Sequence, residues 1–154
     1  MKSTVYLLFF LFAFTTLTSC KKSSATITFP TNLIGVGSLE GNGQEGFSKQ
    51  NIVVYNSATW NDLVTKMNSV NNVSDEFTET NIDFNTYSVI AVFDRVQGSS
   101  GYSVQITGVF DNSSNVIVKL NYSQSVGNVL PVMTQPFHIV KVAALDKKKS
   151  VIFE

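Results

Sequence analysis

Residues 101–123 read GYSVQITGVFDNSSNVIVKLNYS, and this stretch decides the fold class. Tyr102, Val104 and Ile106 alternate with Ser103, Gln105 and Thr107, the period-two pattern of a strand with one face buried and one in water. Val116, Val118, Leu120 and Tyr122 repeat it. Between the two runs stand Asp111, Asn112, Ser113, Ser114 and Asn115, short polar residues that hydrogen-bond their own backbone and favour a turn. Two alternating runs joined in this way predict an antiparallel hairpin.

Working outward, residues 87–95 (YSVIAVFDR) are almost continuously apolar, as a central strand buried on both faces would be. Residues 136–144 (PFHIVKVAA) form a further strand, with Pro136 at its start, where a missing N–H costs nothing. A charged turn at 146–150 (DKKKS) precedes a short strand at 151–153, and its lysines read as a solvated tip. Upstream, residues 50–55 (QNIVVY) make a strand, 26–29 and 33–36 are short strand candidates, and 41–46 (GNGQEG) is a loop by composition. One helix stands out over about 57–70. Trp60, Leu63, Val64 and Met67 fall at i, i+3, i+4 and i+7, with Ser57 as N-cap and Asp62 in the first turns. Trp60 on that apolar stripe reads as core. The acidic stretch 74–86 carries Asp75, Glu76, Glu79 and Asp83 without calcium-loop spacing, so it reads as a solvated loop that tucks in Ile82 and Phe84. The expected class is α+β and mostly β: an antiparallel sheet or a small β-sandwich or barrel with one packed helix. Parallel pairing is not expected, because the later strands lack long crossovers.

The N-terminus speaks to compartment. Lys2 precedes an apolar run, VYLLFFLFAF, of about ten residues, half the roughly 20 needed to span a bilayer, so it reads as a signal peptide. Leu17-Thr18-Ser19-Cys20 resembles a bacterial lipobox, which implies cleavage after residue 19 and a diacylglycerol and N-acyl lipid (palmitate-type) on Cys20. Cys20 is the one cysteine in the chain, so no intramolecular disulfide is available. The division expected is signal peptide 1–19, lipidated N-terminus and tether 20–25, and a single domain 26–154. Stable anchoring takes two or more acyl chains, which such a lipid supplies. Lys21 and Lys22 follow in place of the aspartate that retains some lipoproteins in the inner membrane, which favours the outer membrane of a bacterial cell envelope.

The catalytic inventory is thin. His138 is the single histidine, and it lies inside a strand between apolar neighbours, with no G-x-S-x-G nucleophile motif in the sequence. No zinc set or phosphate loop can be assembled from sequence motifs, and no cofactor is expected beyond the lipid. Only 14% of residues are charged, with 11 basic and 11 acidic; this argues against nucleic acid, which demands clustered positive charge, and the one basic cluster is Lys147-Lys148-Lys149. The chain reads as a non-enzyme. Two loop-to-strand junctions remain as interaction candidates: Gly98, Ser99, Ser100, Gly101 and Tyr102, and Thr134, Gln135, Pro136, Phe137 and His138.

The same residues carry a family resemblance. Asp83-Phe84, the apolar strand Val89-Ile90-Ala91-Val92-Phe93, the strand start Gly101-Tyr102-Ser103-Val104 and the closing Thr134-Gln135-Pro136-Phe137-His138-Ile139-Val140-Lys141 occur in the order of the PrcB family's C-terminal domain. The likeness extends over about 52–154, with departures at Ser99-Ser100 and around 126–130. It implies a non-catalytic accessory subunit that binds or stabilises a surface protease complex, with another envelope protein as partner. A different class of function is a loop-based protease inhibitor of chagasin-like type, which would present Tyr102 and Phe137 at one end of the fold.

Overall fold

The computed structural model describes residues 26–112, 114–127 and 129–154; the expected signal peptide, Cys20 and its tether lie outside them. The organising strand is β4 (Tyr87–Phe93), in which every residue after Tyr87 is buried. It lies between β3 (Gln50–Val54) and β7 (Gln135–Ala143) in a sheet of order β2-β7-β4-β3, where β2 is Asn32–Leu39. The second sheet has the order β1-β5-β6-β8, built from Ile27–Phe29, Tyr102–Asp111, Asn115–Gln124 and Ser150–Phe153. Two four-stranded sheets face each other without closing into a barrel, and α1 (Ser57–Met67) packs on the outer face of the β4 sheet.

Alternation along β4 and β7 separates two cores. Val89, Ala91, Phe93, Phe137 and Ile139 point toward α1, where they meet Trp60, Leu63 and Met67. Ile90, Val92, Val140 and Val142 point the other way, toward Val104, Ile106, Val109, Val116 and Val118 of the facing sheet. Full burial of each Val, Leu, Ile, Phe or Met among them contributes about 1.5–3 kcal/mol, and a strand with no polar face has nowhere to sit except between two layers. The aromatic floor of the helix-side core is tight: Phe47 stacks on Phe93 with centroids 4.4 Å apart. Trp60 is core, as its position on the helix predicts, and its indole N–H donates to the Thr80 carbonyl at 2.7 Å.

The hairpin read from 101–123 is present as β5–β6, with Val104 opposite Tyr122 and Ile106 opposite Leu120. One feature of it was not in the pattern. A bulge between Ile106 and Gly108 shifts the register so that Ile106 and Val109, three apart, are both buried.

Several further expectations need correction. The helix is capped by Asn56 rather than Ser57: Asn56 is extended, and its side-chain oxygen accepts from the Thr59 N–H at 2.9 Å. The helix stops at Met67, and the acidic stretch opens with a short 3-10 turn, Val73–Glu76; Ile82 is buried beyond it and Phe84 packs against the same core. Finally, β8 pairs with β6 in parallel. The crossover that parallel neighbours require is supplied by β7 itself, which lies in the other sheet and carries the chain back to the starting end. The lysine run before β8 is not a free tip either: Lys149 binds the Asp111 carboxylate and the Asn112 carbonyl, and Lys147 lies over the Tyr55 ring.

Candidate functional site

The β5–β6 hairpin runs past the end of the opposite sheet, because β4 gives out at Phe93 while Tyr102 and Gln124 still pair. The inner face of this overhang, with Tyr102, Tyr122 and Gln124, forms one wall of an open cleft of about 380 Å³, and Lys49, Asp94, Arg95 and Gln97 form the other. The sequence places Asp94 and Arg95 at the end of the 87–95 strand, but β4 ends at Phe93 and leaves both beyond it, and no local pattern joins them to Lys49.

Asp94 organises that wall. Its carboxylate meets Lys49 Nζ at 3.2 Å and accepts from Gln97 Nε2 at 2.7 Å. Burial by itself would raise its pKa, but hydrogen bonds from the Arg95 backbone N–H, the Gln97 amide and Lys49 outweigh that and hold it below the usual carboxylate value. The Lys49 ammonium also stands 3.9 Å above the Tyr122 ring, a cation–π contact that ties the two sheets together across the cleft. Behind Asp94, the fully buried Gln135 donates to the carbonyls of Asp94 at 2.7 Å and Phe47 at 3.0 Å. Arg95 is exposed and joins no ion pair among the described residues.

The two junctions read from the sequence come together here. Gln97 and Thr134 form an antiparallel bridge, with Gln97 N–H to Thr134 O at 2.7 Å and Thr134 N–H to Gln97 O at 3.0 Å. The Thr134 hydroxyl donates to the Ser99 carbonyl, and Ser100 exchanges two hydrogen bonds with Leu130. Gly101 is favoured by close approach, since a Cβ there would collide with the Val129 side chain. The exposure of these residues differs sharply. Gly98 and Ser100 are exposed and Ser99 and Tyr102 partly so, whereas Gly101, Thr134, Gln135, Pro136 and Phe137 are buried. The second junction is therefore a buttress for the first and for residues 125–133. That loop exposes Val126, Leu130, Val132 and Met133, at 103%, 65%, 46% and 48% of their full surface. An aperiodic apolar run in a loop was the available signal for it.

His138 sits half-buried between the sheets and does no visible chemistry. Its Nδ1 accepts the Ile106 N–H at 3.1 Å, which places the proton on Nε2, and burial lowers its pKa below 6.5. Among the described residues, no three of His, Cys, Asp and Glu converge.

The fold and this end of it define a β-sandwich domain with a built-up loop surface and one helix covering its opposite core. Residues 88–143 are similar to the family model described as PrcB C-terminal. The matched span runs from β4 to the end of β7 and includes both loops of the cleft end, while β3, α1 and β8 fall outside it. No curated protein and no solved structure matches the chain. The chagasin-like alternative gains no support from the comparison, and Phe137, 2% exposed and packed near Phe93 and Phe77, is not available to enter a protease cleft.

Proposed function

We propose that this protein is a non-catalytic accessory domain of the cell envelope, anchored through lipid on Cys20, that engages a partner polypeptide of a protease complex through its cleft-end loops. The PrcB-like domain supports the accessory role in outline. The observation that carries the docking surface is the exposed apolar group Val126, Leu130, Val132 and Met133 on a loop clamped to residues 97–101. Apolar side chains left in water on a loop with this many hydrogen bonds behind it mark an interaction site rather than a packing failure. Its placement fits a tethered protein. The first described strand, β1, pairs with the Asp111 end of β5, whereas the loops lie at the Tyr102 end, a strand length of about 30 Å away. A domain tethered at its N-terminus holds these loops away from the membrane.

The test is capture from native envelope membranes with the full-length protein, alongside Val126→Glu and Leu130→Glu. Both residues are exposed, so each variant keeps its stability within about 0.5 kcal/mol and loses a stoichiometric partner that the parent retains. Equal recovery with parent and variants would reject the docking surface. Metabolic labelling with an alkyne fatty acid tests the anchor separately: label on the parent and none on Cys20→Ser supports it, and label on neither removes it.

A further inference from the structure

The free edge of β3 stands apart from the other strand edges. A strand edge exposes unpaired N–H and C=O groups, and proteins ordinarily blunt it with charge, proline, a bulge or a covering segment. β2, the opposite edge of the same sheet, has a bulge between Leu33 and Gly35, and Thr78 covers it through hydrogen bonds to the carbonyls of Ile34 and Leu33. β1 is three residues long and is followed by Pro30. β8 is four residues long and lies between Lys149 and Glu154. β3, Gln50-Asn51-Ile52-Val53-Val54, has no charge, proline, glycine or bulge, and its outer edge has no backbone partner among the described residues. Beside it runs a groove of about 230 Å³, with Phe47, Gln50, Ile52 and Val54 on one side and Thr59, Asp62, Leu63 and Lys66 of α1 on the other.

We propose that β3 accepts an extended segment of a partner polypeptide as an added strand of the sheet, with an apolar side chain in the β3–α1 groove and a Lys or Arg beside Asp62. Backbone pairing to the edge supplies affinity, and alternate side chains facing the groove supply selectivity. The groove is apolar at its base, through Ile52, Val54, Leu63 and Phe47, and this selects an apolar side chain. Asp62 is exposed at its rim and takes part in no ion pair among the described residues, which selects a cation. A second copy of the same edge fits less well. Its Lys49 is held by Asp94 and its Lys66 by the Gly46 carbonyl and the Phe47 ring, so it brings Asp62 no free cation. This site is separate from the cleft-end loops and from the span matched by the family model.

The probe is a fluorescein-labelled peptide, Thr-Val-Thr-Val-Thr-Lys-Thr, titrated by anisotropy into the full-length protein. The expected result is saturable binding that is lost when alternate peptide amides on the pairing edge are N-methylated. Replacing the peptide Lys with Glu weakens binding about threefold, the scale of a rim ion pair. Asp62→Lys, a surface change that leaves folding intact, reverses that preference, and Ile52→Lys abolishes binding. Absence of saturable binding overturns the proposal, as does binding that persists in both variants. Sedimentation that reveals a dimer of the parent, dispersed by Ile52→Lys, overturns it in favour of a second copy. Because the cleft-end variants Val126→Glu and Leu130→Glu leave this edge untouched, the peptide binds them as it binds the parent.

Discussion

At His138 a half-buried imidazole accepts one backbone N–H across the gap between the sheets, and that bond exists only while Nδ1 is unprotonated. Burial lowers the folded-state pKa below 6.5, while the unfolded chain titrates near 6.5. Between these values the unfolded state binds more protons, so its population gains as pH falls. Stability is thus fully present above about pH 6.5, declines as pH falls toward the lower folded value, and levels off below it. Urea denaturation from pH 8 to about pH 4.5 measures this slope. His138→Ala removes it and costs about 2 kcal/mol at pH 7.5, because the Ile106 N–H is left unpaired beside a small void. A slope that persists in the variant assigns the acid sensitivity to another group. The sequence placed His138 correctly in a strand among apolar neighbours; its partner, 32 residues away, was outside the reach of any local pattern.

Among the elements, α1 illustrates how close a local reading comes. Asn56 and Ser57 are adjacent and both are good N-cap residues. Asn56 takes the role because the chain leaves β3 still extended and turns only after that residue. Asn56→Ala therefore costs about 1 kcal/mol and Ser57→Ala only a few tenths, since Ser57 already lies within the helix; urea midpoints of the two variants decide between them. In β5 the alternation from Tyr102 to Ile106 is genuine, but the bulge before Gly108 breaks it and turns Val109 inward. A run of Thr, Gly, Val and Phe does not reveal that break, because a bulge answers to the partner strand and to the layer beneath. His138, whose ring takes the Ile106 N–H beside this irregularity, belongs to that layer.

Across the whole molecule, the β4 sheet belongs to two cores at once, and this couples the helix layer to the sandwich. Trp60, the one tryptophan of the chain, reports the helix-side core, while far-UV circular dichroism is dominated by the strands. Because β4 and β7 have no solvated face to fall back on, the two layers unfold together, and the two probes give coincident urea transitions. A tryptophan transition at lower urea would mean that α1 leaves first and that the sheet survives without it. The docking-loop variants belong to this scale as well, since Val126 and Leu130 owe their exposure to the way 125–133 is clamped over residues 97–101.

By itself, the sequence determined which segments are strands, that residues 101–123 form a hairpin, that β4 is buried on both faces and that one helix presents Trp60 to the core. Periodicity is a local consequence of backbone geometry, and it reports which face of an element is dry. Only the tertiary structure decided that the strands divide between two sheets, that β8 lies parallel to β6, and that Thr134, Gln135, Pro136 and Phe137 are interior while Val126 and Leu130 stand in water. It also brought Lys49 between Asp94 and Tyr122 and left β3 as a bare edge beside α1. Each of these depends on which element lies next to which, and that is set by packing between segments far apart in the chain, about which the alternation of any one strand carries no information.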